Sequence, residues 1–190
     1  MEDFEHIELL KQGDERAFTL LIDRYSKMVF NLSLQLLQNE KDAEDATQEV
    51  FTIVFLTAKQ FKGDAKLSTW MYRIAINKCQ EMIRARSRKK RFGFMTSIDT
   101  HENSSVSLTN FQHPGIELEN KERITILFSA INKLPENQRI AFVLHKIDGL
   151  SYDEIAGGME TSLSSVESLI FRAKQNLKKL LSDYYEENER

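Results

Sequence analysis

Apolar residues recur along this chain in steps of three and four, the spacing that puts them on one face of a helix. After Asp14, a helix-start residue, come Phe18, Leu21, Ile22, Tyr25, Val29, Leu32 and Leu36. Together they predict one core-facing stripe. Asn39-Glu40-Lys41-Asp42 breaks the pattern, and Asp42 or a neighbour caps a second helix carrying Ala43, Ala46, Val50, Ile53 and Val54 to about Ala58. Phe61-Lys62-Gly63-Asp64 reads as a turn. Ser68 or Thr69 then caps a third helix, with Met71, Ile74, Ala75 and Met82 or Ile83 along its apolar stripe.

From about Arg88 to Gly115 the periodicity fails in a stretch rich in Ser, Thr, Asn and His. A loop this long inside one compact domain is unusual, whereas a linker between two domains accounts for it. The pattern therefore divides the chain into a helical domain at 1–91, a flexible linker at 92–116 and a second helical domain at 117–185. In the second domain Ile116, Ile124, Leu127, Phe128, Ile131 and Leu134 suit a helix ending before Pro135. Ile140, Val143, Leu144 and Ile147 suit another, stopped by Asp148-Gly149. Ser151 and Glu154 match a capping box that opens a short helix, which Gly157-Gly158 loosens or ends. Ser162 or Ser164 caps a long last helix with Val166, Leu169, Ile170, Ala173, Leu177 and Leu180 on its inner face. The expected class is all-α.

Composition agrees, with only 2 prolines and 7 glycines in 190 residues. The single cysteine rules out an internal disulfide and a thiolate zinc cage, and the four histidines are not spaced as metal ligands. No apolar run approaches the roughly 20 residues that span a bilayer, and the acidic N-terminus lacks a signal-peptide layout. The expectation is a reduced, cytoplasmic protein without membrane insertion. The net charge of −3 argues against a nucleic-acid partner until its distribution is seen. Residues 1–61 carry −6, residues 62–91 carry +8 and residues 92–190 carry −5. The basic block is either a phosphate-binding surface or a solvated face.

Two constellations carry chemistry. Residues 147–181 have the layout of a helix-turn-helix, whose last helix presents Ser164, Ser165, Glu167 and Ser168, then Arg172 and Lys174. Short polar groups near a helix N-terminus can reach base edges, and the later cations suit phosphates. A packing-only hairpin has the same spacing. In the second constellation, residues 61–91, Phe61, Trp70 and Tyr72 sit among dense cations, which suits single-stranded nucleic acid because bases stack on rings while cations follow phosphates. Taken alone, Trp70 or Tyr72 reads more readily as a core residue at a helix start. No Walker motif, paired catalytic acids or Ser-His arrangement is present, so an enzyme is not expected, and no cofactor or metal is implied.

In this order, the segments resemble the extracytoplasmic-function sigma factors of bacterial RNA polymerase. DAEDATQEVF (42–51) resembles the family's region 2.2, residues 61–77 its regions 2.3 and 2.4, and 134–156 with the following helix its region 4. The resemblance implies a protein that binds core polymerase, recognises the −10 and −35 promoter elements and promotes melting. It implies that Asp45, Gln48 and Glu49 contact the clamp helices of the β′ subunit. It further implies that Phe61, Lys62, Gly63, Asp64, Lys66, Ser68, Thr69, Trp70, Arg73 and Asn77 serve the −10 element, some of them around a flipped base. Arg84, Arg86 and Arg88 are assigned generic phosphate contact, and Ser164, Ser165, Glu167, Ser168, Arg172 and Lys174 the −35 duplex. An anti-sigma factor is a further implied partner. The chain departs from the common pattern at Glu167 and Leu169, where many members carry cations, and at Gly157-Gly158, where a helical Ala-Glu is usual.

Overall fold

A computed structural model describes residues 2–93 and 118–188, with side chains over 5–89 and 123–182. The described residues form helices joined by short turns, without strands. Helices α1 (Glu2–Lys11), α2 (Glu15–Leu37), α3 (Glu40–Thr57) and α4 (Leu67–Gly93) make the N-terminal unit, with a 3-10 turn at Ala58–Gln60. Helices α5 (Leu118–Asn132), α6 (Glu136–Lys146), α7 (Tyr152–Gly158) and α8 (Leu163–Asn188) make the C-terminal unit. Residues 94–116 of the expected linker lie outside the described residues, as does Ile116, while 92 and 93 complete α4.

Local chemistry sets the helix starts. The Asp14 carboxylate accepts from the backbone N–H of Arg16 at 2.8 Å and of Ala17 at 3.2 Å, which satisfies two donors that α2 leaves unpaired. Asn39 does the same for α3 by accepting from the Asp42 N–H at 2.9 Å, so the cap is the neighbour and not Asp42. For α4 the expected cap is wrong. The Trp70 N–H donates to the Lys66 carbonyl at 3.1 Å, which draws Ser68 and Thr69 into the first turn. Helix α1, which the periodicity did not show, lays Ile7 and Leu10 against α2.

The expected stripe on α2 is largely buried, as are Ala43, Ala46, Val50 and Val54 on α3. In the C-terminal unit the Ser151–Glu154 capping box is complete. Gly149, at φ +74°, takes the left-handed turn that lets the Leu150 N–H reach the Leu144 carbonyl at 2.9 Å. Ser162 caps α8 by accepting from the Ser165 N–H at 3.2 Å. Val166, Ile170, Ala173 and Leu177 seat α8 on its unit, while Leu127 and Ile147, expected inside, are exposed. The two units pack together, α7 along α4 and α6 against α2, and one apolar core runs through both.

Candidate nucleic-acid interface

The turn after α3 returns the chain so that Phe61 is buried and its ring lies 5.1 Å from that of Trp70, tilted by 48°. The Lys11 ammonium sits 5.8 Å from the Phe61 ring, a cation–π distance that fixes the turn to α1. Trp70 is half-buried. Phe61 and Trp70, with Gln60, Lys62, Gly63, Asp64, Ala65 and Arg73, line an open polar cleft of about 290 Å³. Gly63 makes this turn at φ +81°, a conformation that disfavours any side chain. A cleft with an aromatic wall, a carboxylate, an ammonium and a guanidinium can stack a planar base and hold its edge and phosphate.

Along α4 the sequence-predicted residues separate. Asn77 is exposed, whereas Thr69 and Tyr72 are buried. Burial, with the charges of Asp148 and Glu154, pushes the Tyr72 phenol well above its ordinary range. Arg73 donates from Nε and Nη2 to the Gly157 carbonyl at 3.3 and 3.0 Å, and its Nη1 lies 3.1 Å from Glu160. Lys66 pairs with Glu154 at 2.8 Å. That hydrogen bond, helped by Ser151, holds the Glu154 carboxyl down at about 2 and raises the Lys66 ammonium. Ser68 is half-buried in the first turn of α4.

The basic block is less free than its charge implied. Lys78 pairs with Glu49 and with Glu81. Arg86 pairs with Asp42 and donates to the Leu37 carbonyl at 3.3 Å, tying down the end of α2. Arg84 lies 3.6 Å from Glu136, and Arg88 is exposed. On α3, Asp45, Gln48 and Glu49 are exposed on one side. Phe55 and Leu56 are also exposed, Phe55 with its ring 5.1 Å from that of Phe18, and neither was singled out from the sequence.

On α8, Ser164, Glu167, Ser168, Arg172 and Lys174 are exposed, while Ser165 is half-buried. The Ser162 hydroxyl bonds those of Ser164 and Ser165 at 3.1 and 2.9 Å and so orients the helix start. Phe171, 61% exposed, stands among these residues. Its place three residues after Ser168 could have revealed it. Among the described residues no cluster of His, Cys, Asp and Glu could hold a metal, and no helix is long and apolar enough to cross a membrane.

Two family models match: Sigma-70 region 2 over residues 21–89 and Sigma-70, region 4 over residues 124–177. The RNA polymerase sigma-H factor of Pseudomonas aeruginosa is 32% identical, covering 95% of this chain and 94% of that protein. The ECF RNA polymerase sigma-E factor of Escherichia coli is 34% identical, covering 89% of this chain and 88% of that protein. Among solved structures, CnrH in complex with the cytosolic domain of CnrY has a similar fold, at TM-score 0.70 and 22% identity over 96% of this chain and 99% of that one. The sigma factor RpoE of Bartonella quintana, solved with the anti-sigma factor NepR, gives TM-score 0.68 at 21% identity over 87% and 96%.

Proposed function

The chain belongs to the extracytoplasmic-function group of sigma-70 factors, and from that premise we propose how its residues divide the work of promoter recognition. It is a transcription initiation factor that binds RNA polymerase core and recognises promoter DNA. The exposed Asp45, Gln48 and Glu49 of α3 meet the clamp helices of the β′ subunit. The cleft under Trp70 receives a base flipped from the non-template strand of the −10 element, with Lys62, Asp64 and Arg73 lining it, Lys66 next along the chain and Phe61 fixing the tryptophan. Gly63 shapes the turn, and Ser68 and Thr69 lie in the first turn of α4. Asn77, exposed on α4, reads the adjoining base. Arg84, Arg86 and Arg88 are the phosphate contacts, although Arg86 also holds α2.

Helix α8 enters the major groove of the −35 element. Ser164, Ser165, Glu167 and Ser168 face base edges while Arg172 and Lys174 face phosphates. Glu167 can accept from a cytosine amino group, which favours a different base from the cation found there in many members.

In this reading melting needs no nucleotide hydrolysis. Opening the duplex costs roughly 1–2 kcal/mol per stacked step, and capture of the flipped base and of the single strand's phosphates offsets that cost. The protein acts in the cytoplasm and catalyses nothing itself, leaving nucleotidyl transfer to the polymerase. An anti-sigma factor is part of the proposal, as CnrH and RpoE were each solved with a protein partner.

The polar cleft walled by Phe61 and Trp70 is the observation that carries this reading. The test is run-off transcription with bacterial core polymerase on the gene's own upstream region. A transcript that depends on this protein is expected. Asn77→Ala, at an exposed position, is expected to cut it about tenfold on duplex template and far less on template with a pre-opened bubble. Failure to bind core at all would redirect the reading to a duplex-binding regulator.

A further inference from the structure

Helix α1 precedes residues 21–89, the span that matches region 2, yet it touches the machinery of the cleft under Trp70. Its buried Ile7 and Leu10 fasten it, and it packs on α2 and on the turn at Ala58–Gln60 that leads into Phe61. At its C-terminal end the Lys11 ammonium lies 5.8 Å from the centroid of the Phe61 ring. A cation at that distance is attracted by the negative face of the ring. The Glu8 carboxylate accepts from the same ammonium at 2.6 Å, one turn back along α1. An acid and a base three residues apart share one helix face, so Glu8 restricts where the charge can stand.

Phe61 passes this restraint on. It is buried, and its ring meets that of Trp70 at 5.1 Å with a 48° tilt. Tilted rings at this distance attract through their quadrupoles and so prefer a defined geometry. Trp70 is only half-buried on a wall of the open cleft, and its own packing leaves the indole incompletely held. The Phe61 contact adds the missing restraint. A line of contacts thus runs from Glu8 through Lys11 and Phe61 to Trp70, and only its last two members line the cleft.

We propose that Lys11, held by Glu8, is a positioning residue for strand capture: through Phe61 it sets the tilt of Trp70, the wall against which the flipped base stacks. This rests on the cleft being the site of capture. Stacking on a ring that is already oriented spares the cost of ordering it when the base arrives.

Trp70 is the chain's only tryptophan, so the fluorescence of the full-length protein reports on that wall alone. Lys11→Met keeps an apolar stem and removes the charge, while Lys11→Arg keeps the charge. Quenching by acrylamide is expected to be about twofold stronger in Lys11→Met and near the parent in Lys11→Arg. Glu8→Gln, which leaves the lysine in place, is expected to move the same way by less. With core polymerase, Lys11→Met is expected to cut the transcript from duplex template about three- to fivefold and that from a pre-opened bubble by less, with Lys11→Arg restoring both. Unchanged quenching in Lys11→Met, or a change that Lys11→Arg does not restore, overturns the positioning role. Altered quenching with a transcript at the parent level overturns its part in strand capture. Trp70→Ala separates the two readings. A transcript at the parent level from that variant refutes the capturing cleft itself, whereas a loss there with none in Lys11→Met refutes only the link from Lys11.

Discussion

The two surfaces proposed to read DNA differ in what they touch. On α8, Glu167, Ser168, Phe171 and Arg172 stand exposed, backed only by their own unit's core. On α4 and the loop before it, Lys66 and Arg73 are held by α7, and Arg84 lies beside Glu136. In the proposed division of work, the duplex surface stands open, whereas Lys66 and Arg73 on the strand surface already have internal partners. Duplex reading needs only a groove.

The largest expected effect tests the open surface. Arg172→Ala with Lys174→Ala is expected to weaken binding to a −35 duplex uniformly across sequences and to reduce its salt slope by about 1 for each phosphate left without its cation. Titration across salt concentrations, in free protein and in the polymerase complex, checks this. Weakening confined to the complex would mean that α8 too is covered in the free protein.

The next test uses protons. Asp148 faces Gln35 of α2 and Tyr72 of α4, and burial pushes its carboxyl up to about 6. The closed arrangement, with the two units packed together, therefore favours the protonated acid. Its penalty is absent below the ordinary value near 3.8, grows as pH rises through about 6 and is constant above. Glu154 works in the opposite sense, its contribution being present above the ordinary 4.5 and lost as pH falls towards about 2. Closure is thus expected to be tighter at about pH 5 than at about pH 7.5. Fluorescence energy transfer between labels on the two units reads it. Asp148→Asn should flatten the change above about pH 5, and a variant that keeps the full change would place the titrating group elsewhere.

The smallest effect concerns a cap. Ser151→Ala is expected to cost the C-terminal unit about 1 kcal/mol in urea unfolding. It should also slacken the Lys66 contact, because Ser151 helps hold the Glu154 carboxylate that Lys66 meets. Unchanged energy transfer in this variant would show that Glu154 is positioned without its cap.

Most of the helices were legible because their signals are local. Asp14, Ser151 and Ser162 cap helices from within the same few residues, and the α2 stripe needs only its own spacing. Helix α1 was hidden because its few apolar residues gain burial only by packing on α2 and on the turn at Ala58–Gln60. The first turn of α4 misled for a similar reason. Ser68 and Thr69 are good capping residues, yet Thr69 is buried against Gly157, which no local rule foresees. Tyr72 and Ile76 form part of a second buried line on α4, facing α7, outside the single stripe of Met71, Ile74, Ala75 and Met82 or Ile83 that the spacing predicts. The candidate site residues came one at a time from family resemblance. Which of them are already engaged was not, because that depends on two units meeting.

The contact of α7 with α4 joins two parts of one chain, separated in sequence by residues 94–117. Tethered surfaces meet at an effective concentration that, for short connections, is on the order of millimolar, so an affinity too weak to hold two separate molecules suffices to keep them together. The same arithmetic works in reverse. A partner that binds only the separated arrangement needs to contribute just a few kcal/mol of preference to reverse the populations. The close approach of Gly157 to Thr69 thereby bears on how readily the two units part.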